Sequence, residues 1–200
     1  MSKLIVNNLS CQRGYNLLFK NLSFELNSGE VLKISGPNGS GKTSLMKILA
    51  GLNSFETGSI EYDNIKINSE KYNLDFLYLG HLAALSPELS CLENLKYTAH
   101  LGNNNLNPDF SDALTKVGLE KFENELVGKL SAGQKKRIAL SLLFITQSKV
   151  WLLDEPFSAL DSQAIKIIES RIEEHCNSGG LCILTTHQDC NIENIKEISL

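Results

Sequence analysis

A chain of 200 residues with 42% apolar and 21% charged side chains has the composition of a folded globular protein, which excludes disordered, collagen-like and low-complexity classes. Its 19 basic and 23 acidic residues give a formal net charge of −4, the wrong sign for a dedicated nucleic-acid binder, and no apolar run reaches the length of a membrane span. The N-terminus shows no secretory signal pattern, and the five scattered cysteines form no CxxC pair, as expected of reduced thiols.

Residues 3–9 and 22–26 read as strands on either side of a turn at Gly14. Residues 31–35 form a short apolar strand that runs into a glycine loop, and an amphipathic helix follows to about Ala50. Asp63-Asn64 between residues 59–62 and 65–67 is a hairpin signal, and 74–79 is another apolar strand. Ser90 and Glu93 have the spacing of a capping box at the head of a helix reaching Leu101. The polar run 102–108 predicts an exposed loop, and residues 111–117 a second helix stopped by Gly118. Ser131 and Gln134 repeat the capping-box spacing before a long helix over 135–147. Residues 150–153 are a continuous apolar run, as in a strand inside a parallel sheet. Asp161 caps a helix to about His175, Gly179-Gly180 reverses the chain, and 181–185 is expected to be the last buried strand. Strands alternate with helices in both halves around a helical block, which predicts an α/β fold with an inserted helical subdomain.

Three sites carry chemistry. Gly36-Pro37-Asn38-Gly39-Ser40-Gly41-Lys42-Thr43, followed by Ser44, fits G-x-x-x-x-G-K-[ST] between a strand and a helix. Its glycines let several N–H groups face one anion at a positively polarised helix end; Lys42 would reach the β- and γ-phosphates and the Thr43 hydroxyl would ligate Mg²⁺. Asp154 and Glu155 close the apolar strand at 150–153, where ligands bind in open α/β sheets. There Asp154 would hold Mg²⁺ through water and Glu155 would orient and deprotonate an attacking water. Leu130-Ser131-Ala132-Gly133-Gln134 opens a helix with small residues and a serine cap, a second anion site. One chain with two anion sites predicts that two chains sandwich a nucleotide.

The last motif resembles the LSGGQ signature of ABC-type ATPases, with Ala132 in place of the first glycine, and the resemblance extends over essentially the whole chain. It implies a P-loop NTPase (ABC ATPase) core with an N-terminal antiparallel β subdomain and a helical subdomain at about 82–129, all in one ATP-binding domain over 1–200. Ser158-Ala159-Leu160-Asp161 looks like the D-loop that crosses the dimer interface, and His187 like the switch histidine at the γ-phosphate. His81 stands where most family members carry a metal-contacting glutamine, and Arg13 stands where an adenine-stacking aromatic is usual. A guanidinium plane can stack on a base, while Tyr15 is the alternative.

The resemblance further implies ATP and Mg²⁺ as cofactors and a second copy of the chain as partner. It also implies integral membrane transporter subunits, no nucleic acid, and a peripheral place on the cytoplasmic face of the inner membrane. Leu79-Gly80-His81 and Leu184-Thr185-Thr186-His187-Gln188, together with the alanine-bearing signature, resemble the branch that serves bacterial cytochrome c maturation and haem export. Another ABC importer or exporter subunit is the alternative, and a soluble non-transport ABC ATPase a more distant one. A small GTPase is disfavoured because no N-K-x-D guanine reader follows the acidic pair.

Overall fold

The computed structural model describes residues 2–67, 75–81, 84–101 and 108–200. The expected strand start at Leu74, residues 82–83 of the helical block and nearly all of the loop at 102–108 lie outside them.

Strands β1 (Lys3–Arg13) and β2 (Asn16–Asn27) form an antiparallel hairpin in register from Lys3 opposite Asn27 to Arg13 opposite Asn16. Both run longer than the alternation predicts. Register shifts after Val6, Leu9 and Cys11 break the period of two, and Asn8 and Asn21 absorb the distortion at positive φ. Ser23 Oγ accepts the Asn8 N–H at 2.8 Å and Ser10 Oγ accepts the Asn21 N–H at 3.0 Å. The antiparallel sheet is completed by β4 (Thr57–Tyr62) and β5 (Ile65–Lys66) in the order β2-β1-β4-β5. Asp63 and Asn64, both left-handed, make the tight turn between the last two.

The second sheet is parallel and five-stranded, in the order β6-β7-β8-β3-β9. Its strands are β3 (Val31–Ser35), β6 (Phe76–Leu79), β7 (Val150–Asp154), β8 (Leu181–Thr185) and β9 (Ile195–Ser199). All residues of β7 and β8 are buried, because both faces of the sheet are covered. Val150, Leu152, Leu181 and Ile183 face one core with Leu4, Val6, Leu45 and Met46. Trp151, Leu153, Cys182 and Leu184 face the other, with Leu95, Leu114, Ile138 and Ile172. The sheet therefore lies between the β1–β2 unit with α1 (Lys42–Leu49) and the remaining helices. Among the described residues those helices are α2 (Cys91–Leu101), α3 (Phe110–Lys116), α4 (Ala132–Ser141) and α5 (Ser162–Asn177).

Strand 181–185 is the last buried strand, but β9 adds a further edge strand whose residues are all exposed or half-buried and lack the apolar run of a buried strand. One expectation is corrected. Helix α4 stops at Ser141, not near Gln147, and passes into a 3-10 turn at Leu142–Phe144. The Ser141 hydroxyl donates back to the Ile138 carbonyl at 2.7 Å, which competes with helix continuation.

Candidate functional site

The phosphate loop lies between β3 and α1, as its spacing predicts. Gly36, Gly39 and Gly41 all have positive φ, and a Cβ at Gly36 would stand 2.7 Å from the Leu200 carbonyl oxygen and 2.8 Å from Ser40 Oγ. Gly41 is the residue that precedes α1, with no side-chain cap and no acidic residue in the first turn. The helix start thus presents bare N–H groups carrying about half a positive charge. The Lys42 ammonium, on the same rim, donates to the carbonyls of Gly36 at 2.7 Å and Pro37 at 3.0 Å.

Parallel pairing brings the ends of β7 and β8 beside this loop. Asp154 is opposite Thr185 and nearly fully buried, and its Oδ1 accepts from the Thr185 hydroxyl at 2.8 Å. Its Oδ2 is buried and has no hydrogen-bond partner among the described residues. Glu155 follows with φ at +50° and places Oε1 3.6 Å from His187 Nε2. These groups share one cleft of about 560 Å³, lined by Arg13, Leu18, Asn38, Gly39, Gly41, Lys42, Thr43, Ser44, His81, Asp154, Glu155 and His187. A cleft of that size suits a nucleotide. The free oxygen of Asp154 and the Thr43 side chain provide oxygen donors of the kind Mg²⁺ takes. Among the described residues no group of three or more His, Cys, Asp or Glu side chains is placed to hold a metal ion.

Arg13 lines this cleft from the end of β1, while Tyr15 is fully exposed in the β1–β2 turn and does not line it. His81, exposed two residues after β6, does line it.

The signature residues lie elsewhere. Ser131 and Gln134 form the full capping box: Ser131 Oγ accepts the Gln134 N–H at 3.2 Å, and Gln134 Oε1 accepts the Ser131 N–H at 2.9 Å. Leu130 is buried beneath them, while Ser131 and Ala132 are exposed. Gly133 packs so closely on the D-loop segment that an added Cβ would stand 2.6 Å from the Ala159 oxygen. Asp161 caps α5 by accepting the Ala164 N–H at 2.8 Å and pairs with Arg137 of α4. The backbone bond from Ala164, and then the Arg137 charge, hold the Asp161 carboxyl below the usual range against a partial desolvation. A second open cleft of about 650 Å³ runs along Ser131, Gly133, Gln134, Arg137, Ala159, Leu160 and Asp161, and it shares no lining residue with the first. Ser158 points the other way, its hydroxyl donating to the Glu155 carbonyl at 3.0 Å.

Three contributors were missed from sequence. Leu18 lines the first cleft, Arg137 ties α4 to Asp161, and Thr185 bonds both acidic residues. The signal for Thr185 was a hydroxyl closing an otherwise apolar strand.

A phosphate loop and an acidic strand end on one cleft, with a glycine signature on a second, define an ABC-type ATPase. Residues 19–158 match the family model described as ABC transporter, and the chain belongs to that family. Within it, the chain is 42% identical to the cytochrome c biogenesis ATP-binding export protein CcmA of Haemophilus influenzae, over 99% of this chain and 95% of that protein. With the CcmA of Shewanella oneidensis the identity is 46%, over 98% and 93%. An ABC transporter ATP-binding protein from Pyrococcus furiosus, 24% identical, shares the fold at a TM-score of 0.86 over 99% of this chain and 97% of its own. The dimeric ATP-binding cassette MJ0796, solved after hydrolysis with ADP and Pi, superposes at 0.81 with 25% identity, covering 92% and 88%.

Proposed function

We propose that this chain, read as one ATP-binding domain over 1–200 with its helical unit at about 82–129, is the motor subunit of the cytochrome c biogenesis export system. Its cargo branch is then haem export, as the resemblance to that system implies, and its partners are integral membrane subunits. It works as a pair of copies at the cytoplasmic face of the inner membrane. Among the described residues no helix is long and apolar enough to cross a membrane, which fits a peripheral role. The observation that carries the pairing is the separation of the two clefts: the loop from Gly36 to Ser44 and the signature from Leu130 to Gln134 share no cleft within one copy. Two copies in opposite orientation would bring each signature and D-loop, Ser158 to Asp161, onto the other's nucleotide.

In this reading the loop N–H groups and Lys42 hold the ATP phosphates, and Arg13 with Leu18 covers the base. Thr43 and Asp154, assisted by His81, would hold Mg²⁺, which supplies neutralisation of the developing phosphate charge. Glu155 accepts the proton of the attacking water, and His187, 3.6 Å from its carboxylate, steadies the γ-phosphate end of the cleft. Glu155→Gln keeps the shape of the base and removes its proton acceptor. The variant should bind ATP with wild-type affinity while phosphate release falls about 10²- to 10⁴-fold. Phosphate release at the wild-type rate would remove Glu155 from the role of base.

A further inference from the structure

Thr185 ends β8 fully buried, 0% exposed, with its hydroxyl between Asp154, the last residue of β7, and Glu155, which follows it. The parallel register puts it opposite Asp154, so its position is set by the sheet and not by a loop. The hydroxyl donates to Asp154 Oδ1 at 2.8 Å and accepts the Glu155 N–H at 2.9 Å. One hydroxyl has one proton and two lone pairs, so both bonds form together. Glu155 is held at φ +50°, a region that a residue with a Cβ seldom occupies without support. Support comes from both sides, because the Glu155 carbonyl accepts the Ser158 hydroxyl at 3.0 Å.

Valine has nearly the same shape as threonine and the same preference for strands. A hydroxyl at a fully buried strand end is unfavourable unless both of its bonds are made. Here each bond fixes a different part of the hydrolytic apparatus: one oxygen of Asp154, leaving Oδ2 free, and the backbone from which the Glu155 side chain springs.

We propose that Thr185 is a positioning residue for ATP hydrolysis, its hydroxyl clamping Asp154 and Glu155 in a fixed mutual geometry. The proposal rests on the roles given above to those two residues. The test compares the full-length wild type with Thr185→Val, Thr185→Ser and Glu155→Gln. It follows kcat and KM for ATP, binding of a fluorescent ATP analogue, and thermal unfolding. Thr185→Val should lose about 10- to 100-fold in kcat with KM and analogue affinity within about threefold of wild type. Its melting temperature should fall by only about 2–10 °C, because the Glu155 N–H and one Asp154 oxygen lose their partner while the side-chain volume is kept, and the variant should stay fully folded at the assay temperature. Thr185→Ser, which restores the hydroxyl, should recover kcat to within about threefold.

A valine variant within about twofold of wild-type kcat overturns the proposal, as does a serine variant as slow as the valine one. A loss of analogue binding or of melting temperature that accounts for the lost kcat also overturns it, since the hydroxyl would then serve folding alone. Equal turnover by wild type and Glu155→Gln would instead strike the role of Glu155 itself. A large Glu155→Gln defect beside an unaffected valine variant would remove only the clamp.

Discussion

Arg13 enters the nucleotide cleft from the last position of β1, and Leu18 lines the same wall from β2. With its amide turned to present the oxygen, Asn53 accepts from the Arg13 guanidinium at 2.6 Å, which orients the plane. A guanidinium over a base reads the ring face and not the hydrogen-bonding edge, so it contributes affinity with little discrimination. Arg13→Ala should therefore raise KM for ATP about 3- to 10-fold with kcat within about twofold, and wild-type KM for GTP should lie within about tenfold of that for ATP. Steady-state kinetics with both nucleotides checks this; an unchanged KM in the variant would take Arg13 out of the base site. The acidic residues were legible at this scale because a short apolar run ended on them. The bonds from Thr185 were not, because they depend on the pairing of strands 30 residues apart in the chain.

The elements that declared themselves in the sequence are those with a local chemical cause. Ser90 with Glu93, and Ser131 with Gln134, close reciprocal caps where their spacing placed them. β7 and β8 follow from unbroken apolar runs. The full lengths of β1 and β2 were hidden by bulges, and β9 by its place at a sheet edge, where none of its residues is buried. Packing between elements was equally invisible. The single tryptophan, Trp151 of β7, is stacked on His175 of α5 with ring centroids 3.7 Å apart and planes 4° from parallel. Burial pushes the His175 imidazole down to about 4, so the stacked ring is neutral at physiological pH. A Cβ on Gly180 would overlap this ring, so the turn that leads α5 into β8 requires glycine for space. Gly180→Ala should cost about 1–3 kcal/mol, lower the melting temperature, and shift Trp151 fluorescence as the ring moves. Unchanged melting and emission would show that the turn takes up a Cβ at position 180 without disturbing the stack.

For the whole molecule, the decisive feature is the division of labour between two clefts. The sheet ends carry the phosphate loop, the acidic pair and His187 on one cleft; α4 and the D-loop segment carry the signature on another. The motifs made each half legible and already predicted a two-chain sandwich; the fold places the two sets of residues on clefts that share no lining residue. In the proposed working pair a second copy completes each site. The most direct measurement is the molar mass in solution of the Glu155→Gln chain with and without Mg²⁺ and ATP, beside the same chain carrying Ser131→Arg. The first should double its mass on adding ATP. The second should bind ATP equally well but remain a single copy, because an arginine on the exposed start of α4 fills the surface meant for the other copy's nucleotide. A doubled mass that persists with Ser131→Arg, or a Glu155→Gln chain that stays single at saturating ATP, would contradict the account.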